Sequence, residues 1–378
     1  MDFNLTDEHV MLSESAASFV KKEHSFERLR KLKDDKWGYT KEMWDKMAEL
    51  GWMGFIYPED YGGFGLDFIF VMVLMQELGK GLLPEPYISN VLLGGNLVNL
   101  VGNTSQKQAI LPKIVEGTLF ITAAYLENDG RYDLNYCATS AIKKDEGYIL
   151  SGKKIFVQDG LSADKIIVSA RTSGSVADKE GITLFMISSD CKGLEKTPLR
   201  TMDGKTSCMM NLKEVLVSEA DIIGELGNGF SALSKAIDMA TVALCAEMVG
   251  GMQSALDITV SYISEREQFG KPIGSFQAIQ HKAADMLIQK ELATSALYYA
   301  IASIDEKTED CSEAVSIAKA KCSSAYIDIT KTAIQLHGAI GFTNEADIGF
   351  FFKKAKVSEI LYGDTDYHLD RYATLRGY

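Results

Sequence analysis

The chain has 378 residues, 46% of them hydrophobic, with a formal net charge of -13 and a pI near 5.0. That apolar share supports a large core, more naturally two or three packed units than one. The acidic balance argues against nucleic acid as a default partner, because neutralising phosphates needs a basic face. The cysteines (Cys137, Cys191, Cys208, Cys245, Cys311, Cys322) lie apart without a C-x-x-C pair, and the histidines do not cluster. Neither a disulfide framework nor a zinc site is expected, and reduced thiols in a cytoplasmic setting are the plain reading. The opening MDFNLTDEHV is acidic, so no signal peptide is expected, and no apolar run has the length of a membrane span.

Residues 1–117 read as helical. TDEHVMLSESAASFVKKEH offers Thr6 as an N-cap and places Val10, Leu12, Ala16, Phe19 and Val20 near one face. KEMWDKMAELGWMG is a second amphipathic helix, ending at Gly51, and FIFVMVLMQELGKG is apolar on most sides and so buried. The period changes over 118–226. LFITAAYL, GYILSGKKIFV, DKIIVSART, GITLFMIS and CMMNLKEVLV are short β-branched and aromatic runs, with SGKK suggesting a hairpin. From 227 to 378 helical spacing returns in long helices, broken by the loop REQFGKPIGSFQ, then a shorter helix over 345–361. The expected class is α+β and multidomain: an N-terminal α-helical domain, a central antiparallel β-barrel-like domain and a C-terminal four-helix bundle. This order is not βαβ alternation, and no G-x-G-x-x-G or G-x-x-x-x-G-K-[ST] motif is present.

Two stretches stand out chemically. In SEREQFGKPIGSFQAIQHKAADM, Arg266 presents fork-type donors suited to an anion such as a pyrophosphate; the plainer reading is a helix–loop–helix corner. In QLHGAIGFTNEADIGFFFKKAK, Gly338 and Gly341 suit a helix C-cap or a close backbone approach to a ligand.

Four segments in this order resemble the acyl-CoA dehydrogenases: GWMGFIYPEDYGGFGLD (51–67), SGKKIFVQDGLSADKIIVSART (151–172), EREQFGKPIGSFQAIQHKAADM (265–286) and QLHGAIGFTNE (335–345). The resemblance spans most of the chain and implies FAD, an acyl-CoA thioester substrate and an electron-transfer flavoprotein or similar acceptor. It implies a flavin lying between the β domain and the C-terminal helices. Arg266, Phe269, Ile273, Phe276 and Gln277 match the segment that contacts the FAD of a neighbouring subunit. Gln335, Leu336, Gly338 and Ala339 match the adenine-side segment, with Ala339 replacing a glycine. A homotetramer (a dimer of dimers), or a heterotetramer with a paralogue, is implied. LENDGRYD (126–133) departs from the family's pattern, and Phe156-Val157-Gln158 stand where it has Trp-Ile-Thr. By that resemblance Tyr125, Leu126, Phe156, Val157, Gln158, Leu361 and Asp364 join the flavin contacts.

The family's reaction takes a proton α to the thioester carbonyl with a glutamate, and passes a hydride from the β-carbon to flavin N5. In ILYGDTDYH that slot falls on Tyr362, and the alternative slot on the first C-terminal helix falls on Ala240. Asp364 and Glu247 are the candidate bases; Asp364 could instead hold a flavin hydroxyl, and Glu247 could instead be a helix-packing acid. His368 reads as a local hydrogen-bond partner. Three functions stay open: dehydrogenation with a non-standard base, a non-catalytic partner subunit, or a flavin oxygenase or desulfinase on the same fold.

Overall fold

The computed structural model describes residues 5–378. In chain order it has helices α1 (Asp7–Glu23), α2 (Phe26–Leu32), α3 (Lys41–Glu49), α4 (Phe68–Gly81), α5 (Asn96–Val101) and α6 (Thr104–Val115). Strands follow: β1 (Ile121–Ala124), β2 (Ser140–Lys144), β3 (Gly147–Gln158), β4 (Lys165–Arg171), β5 (Ile182–Ser188), β6 (Leu194–Arg200), β7 (Thr206–Ser218) and β8 (Ile222–Ile223). Helix α7 (Gly229–Glu265) leads through a two-stranded turn, β9 (Glu267–Gln268) and β10 (Lys271–Pro272), to α8 (Gln277–Asp305). Then come α9 (Cys311–His337), α10 (Ile348–Ile360) and α11 (Thr365–Leu375). The chain forms two compact units. A helical unit takes the chain up to Lys31, Asp67–Leu83 and Thr241–Tyr378; a sheet unit takes Leu32–Leu66 and Pro84–Ala240.

In the helical unit α1 packs on α4, and α9 packs on α8, α10 and α11. Thr6 caps α1 as expected, accepting from His9 N at 3.4 Å. The expected apolar face is off by one member: Val10 is exposed, and His9 is buried in its stead. The reason is polar. His9 Nδ1 accepts from Thr6 N at 3.2 Å and Nε2 lies 3.6 Å from Asp67, so two electrostatic contacts turn this position inward. Helix α4 is buried on most sides, as its composition demands. It crosses α7 at glycines: a Cβ on Gly79 would stand 2.1 Å from Glu247 O, and one on Gly250 would stand 2.0 Å from Gln76 O. Helices α7–α10 are the four expected in the C-terminal region, and α11 adds a fifth.

In the sheet unit, Thr40 caps α3 and Gly51, at φ 77°, ends the turn after it. The strand order is β6-β7-β3-β2-β4-β5-β8, with β1 paired to β4. Most pairs are antiparallel; β1–β4 is parallel. The expected barrel-like closure is not seen, and the sheet is open. The hairpin expected at SGKK is also absent. β3 runs straight through it, and the reversal falls at Asp145-Glu146 between β2 and β3. Gly152 instead lies at a register shift against β7, where a Cβ would stand 2.4 Å from Thr139 Oγ1. The sequence reading passed over β2 and β6, whose residues are mostly exposed or half-buried and carry little apolar alternation.

Candidate active site

The sheet unit carries one group of candidate residues, built around a buried ion pair. Lys154 is 0% exposed. Its ammonium donates to Glu127 Oε1 at 2.7 Å and Ser169 Oγ at 3.0 Å, and reaches Tyr125 O at 3.4 Å. The Glu127 carboxylate also accepts from Ala138 N at 2.8 Å and Thr139 N at 3.0 Å. Burial opposes its ionisation, but the Lys154 charge and these donors hold Glu127 below the usual carboxylate range. The segment carrying Tyr125 and Leu126 is thereby fixed, and Leu126 O accepts from Ile155 N at 2.9 Å.

Next along β3, pairing with β7 slips between Lys154 and Val157. Phe156 sits in that bulge at φ 50°, a left-handed conformation that an aromatic residue adopts at an energetic cost. Val157 is buried, whereas Phe156 and Gln158 are half-buried. Gln158 O accepts from Thr122 Oγ1 at 2.9 Å, and Asp159 Oδ2 from Ser89 Oγ at 2.5 Å. Ser89 belongs to a π-helical turn, Ile88–Gly95, that the sequence reading did not single out. Such a turn frees backbone groups, and here Tyr57 OH donates to Val91 O at 2.7 Å. Asn90 ties the turn to β1, accepting from Ile121 N at 2.9 Å.

The helical unit carries the other group. Asp364 is the N-cap of α11, its Oδ1 accepting from Tyr367 N at 2.9 Å. Tyr362 and Leu361 are buried, and Tyr362 adopts φ 59°. Two buried side chains hold this turn, neither expected as a site residue. Lys319 donates to Gly363 O at 2.7 Å, and His368 Nε2 lies 3.0 Å from Tyr362 O. Glu247 lies elsewhere in the unit. It is buried, and its Oε2 is 2.8 Å from Lys354 Nζ, a helix-to-helix ion pair between α7 and α10.

The residues matched to a neighbouring subunit's cofactor are mostly exposed in the single chain. Arg266, Phe269, Gln277, Gln335, Gly338 and Ala339 are all exposed, and Phe269 is 92% so. Ile273 and Phe276 are half-buried, and the Leu336 side chain is buried. Gly338 caps α9 at φ 66°, with open space where a Cβ would stand. The Arg266 guanidinium makes no hydrogen bond or ion pair among the described residues. No group of three His, Cys, Asp or Glu side chains among the described residues could hold a metal ion. No helix among them is long and apolar enough to cross a membrane.

Known proteins give this arrangement its context. Models of the acyl-CoA dehydrogenase N-terminal, middle and C-terminal domains match residues 6–118, 122–215 and 227–374. A probable acyl-CoA dehydrogenase of Bacillus subtilis is 31% identical over 371 residues, covering 97% of each chain. A 3-(aryl)acrylate reductase of Clostridium sporogenes is 31% identical over 367 residues, covering 96% of each. The structure of butyryl-CoA dehydrogenase from Megasphaera elsdenii superimposes with a TM-score of 0.91 at 29% identity over the whole of both chains. The fold and sequence define a flavoprotein oxidoreductase acting on CH–CH bonds. The chain belongs to the acyl-CoA dehydrogenase family.

Proposed function

We propose that this protein is an FAD-dependent dehydrogenase that removes hydrogen from the α and β carbons of an acyl-CoA thioester. The left-handed bulge at Phe156 carries this reading. It sets an aromatic ring and the Gln158 amide along one distorted strand, a donor set suited to a flat heteroaromatic ring with polar edges. Tyr125, Leu126 and Val157 would add backbone contacts there. In the helical unit, the Arg266 guanidinium suits a pyrophosphate. Phe269, Ile273, Phe276 and Gln277 would flank it. Gly338 offers open backbone to an adenosine, beside Gln335, Leu336 and Ala339. The exposed ones among them, Arg266, Phe269, Gln277, Gln335, Gly338 and Ala339, fit contact with a second copy of the chain, as in a homotetramer.

FAD, when bound, supplies a hydride acceptor. The chain's own task is to take the α proton and hold the thioester. Glu247 is committed to Lys354, and we assign it a packing role. Asp364 commits Oδ1 to its helix cap, and Oδ2 makes no hydrogen bond among the described residues. Asp364 is therefore the assigned base. The direct test is anaerobic titration of the flavin-loaded protein with a panel of acyl-CoA thioesters. Bleaching of the flavin band by at least one is expected; no bleaching by any overturns the reading. Asp364→Asn should slow reduction by about a hundredfold or more, and an unchanged rate removes Asp364.

One observation favours a second reading. Tyr362 and Ala240 stand in both family positions for the glutamate, so the chain could be the non-catalytic member of a heteromeric pair. Copurification with a glutamate-bearing paralogue, with no bleaching of the isolated chain, would select it. An electron-transfer flavoprotein as acceptor and a cytoplasmic location complete the proposal.

A further inference from the structure

The turn Leu361–Asp364 is held in a conformation that its own residues do not favour. Tyr362 lies at φ 59°, a left-handed conformation that a residue other than glycine adopts only at an energetic cost. Gly363 follows at φ 108°, and a Cβ there would stand 2.3 Å from the Tyr367 ring. A strained turn persists only where its surroundings over-determine it.

Those surroundings are two buried donors on different helices. Lys319, on α9, is 0% exposed and has three acceptors: Gly363 O at 2.7 Å, Glu359 O at 3.0 Å and Ser323 Oγ at 3.0 Å. Its three ammonium protons are all used. It bridges the last turn of α10 to Gly363, the residue before the α11 N-cap. His368, on α11, is 1% exposed and meets Tyr362 O at 3.0 Å. Burial, with the Lys319 and Arg371 charges, pulls its pKa down to about 3, so the ring is neutral at physiological pH. A carbonyl needs a donor, so the proton sits on Nε2. Its buried Nδ1 then has a lone pair and no hydrogen-bond partner among the described residues.

We propose that Lys319 and His368 are positioning residues, a two-point clamp that fixes the consecutive Tyr362–Gly363 and Gly363–Asp364 peptide groups and so aims Tyr362 and Asp364. Each donor holds one of two consecutive carbonyls, Tyr362 O and Gly363 O. Fixing these two peptide groups sets where the next residue, Asp364, starts its helix. This inference rests on the reading above that the turn borders the reacting carbons.

Hydrogen exchange and flavin reduction, measured together on the flavin-loaded protein, test it. His368→Leu removes a donor, and His368→Gln places an amide N–H near the Nε2 position. Exchange at the amides of residues 362–366 should rise at least tenfold in His368→Leu and return toward wild type in His368→Gln. The flavin reduction rate at saturating thioester should fall at least tenfold in His368→Leu, with KM changed by less than threefold, and recover in His368→Gln. Lys319→Met should match His368→Leu in both readouts. If Lys319→Met does not fold, the two His368 variants decide; if His368→Leu does not fold, Ser323→Ala, which loosens Lys319 alone, decides by its exchange. Wild-type exchange across this turn in the folded variants that weaken the clamp (His368→Leu, Lys319→Met or Ser323→Ala) overturns it, whatever their activity. A wild-type protein bleached by no thioester, with exchange still raised in His368→Leu, overturns the catalytic reading and leaves the clamp standing.

Discussion

Asp364 has a structural job beside the catalytic one proposed for it. As the N-cap of α11 it satisfies Tyr367 N. Asp364→Ala should therefore cost about 1 kcal/mol in a denaturant melt. Asp364→Asn, which keeps an acceptor, should cost only a few tenths. A larger loss in the asparagine variant would show that the negative charge itself supports the fold. The sequence pointed to Asp364 but not to its cap, because the last helix expected from the pattern ends at residue 361 and α11 lies beyond it. His368 was read as a local partner, and it is one. Lys319 and Lys154 were invisible, since lysine in a periodic pattern normally marks a solvated position. Only the tertiary fold shows that each is sealed among acceptors. Glu247 is the contrast. Its apolar neighbours were legible, and its partner Lys354, more than a hundred residues on, was not. Breaking the pair with Glu247→Leu should destabilise by about 3–5 kcal/mol, because the Lys354 charge is left buried. Adding Lys354→Met should recover most of it; simple additivity of the two losses would show that the pair is not coupled.

At the scale of elements, the long apolar-patterned helices were legible because their periodicity runs over many turns. Helical spacing is expected from residue 227, and α7 begins at Gly229 and runs to Glu265. Short strands were legible only where they are buried: β4 and β5 were found, and the edge strand β6 was not. The glycines of the α4–α7 crossing read as nothing from sequence, for a helix-interior glycine looks like a weakness. Here it is what lets two backbones touch. Gly79→Ala places a methyl 2.1 Å from Glu247 O and should cost about 1–3 kcal/mol, against the gain that alanine gives in an open helix. A melting temperature at or above wild type would show that the helices can part at little cost.

For the molecule as a whole, Asp305 ties stability to pH. It sits at the end of α8, and its Oδ1 accepts from Phe68 N at 2.7 Å, at the start of α4. Burial first, then the nearby Asp67 charge, raises its pKa from 3.8 to about 6, against the lowering pull of backbone donors and His9. An acid whose folded pKa is raised binds its proton more tightly in the fold. Its contribution is full below pH 3.8 and is lost as pH rises to about 6. Asp305→Asn keeps an acceptor for Phe68 N and loses the titration. The variant should melt at or above the wild-type temperature at pH 7, with a flatter profile between pH 4 and 6. A wild-type profile in the variant would assign the titration elsewhere.

The burial of Lys154 and Lys319 has a chemical corollary. Acyl thioesters acylate amines, and acylation abolishes both the charge and two of the three donor protons. A protein that handles thioesters all its working life, as proposed for this one, is steadily exposed to that damage. The two lysines that organise the candidate residues, one in each unit, are both 0% exposed, and burial pulls Lys319 to a pKa of about 8, toward the reactive neutral amine. Prolonged incubation with an acyl-CoA, read by peptide mass spectrometry, should mark exposed lysines such as Lys22 and leave these two unmodified until the fold opens. Their modification could then serve as a clock for unfolding.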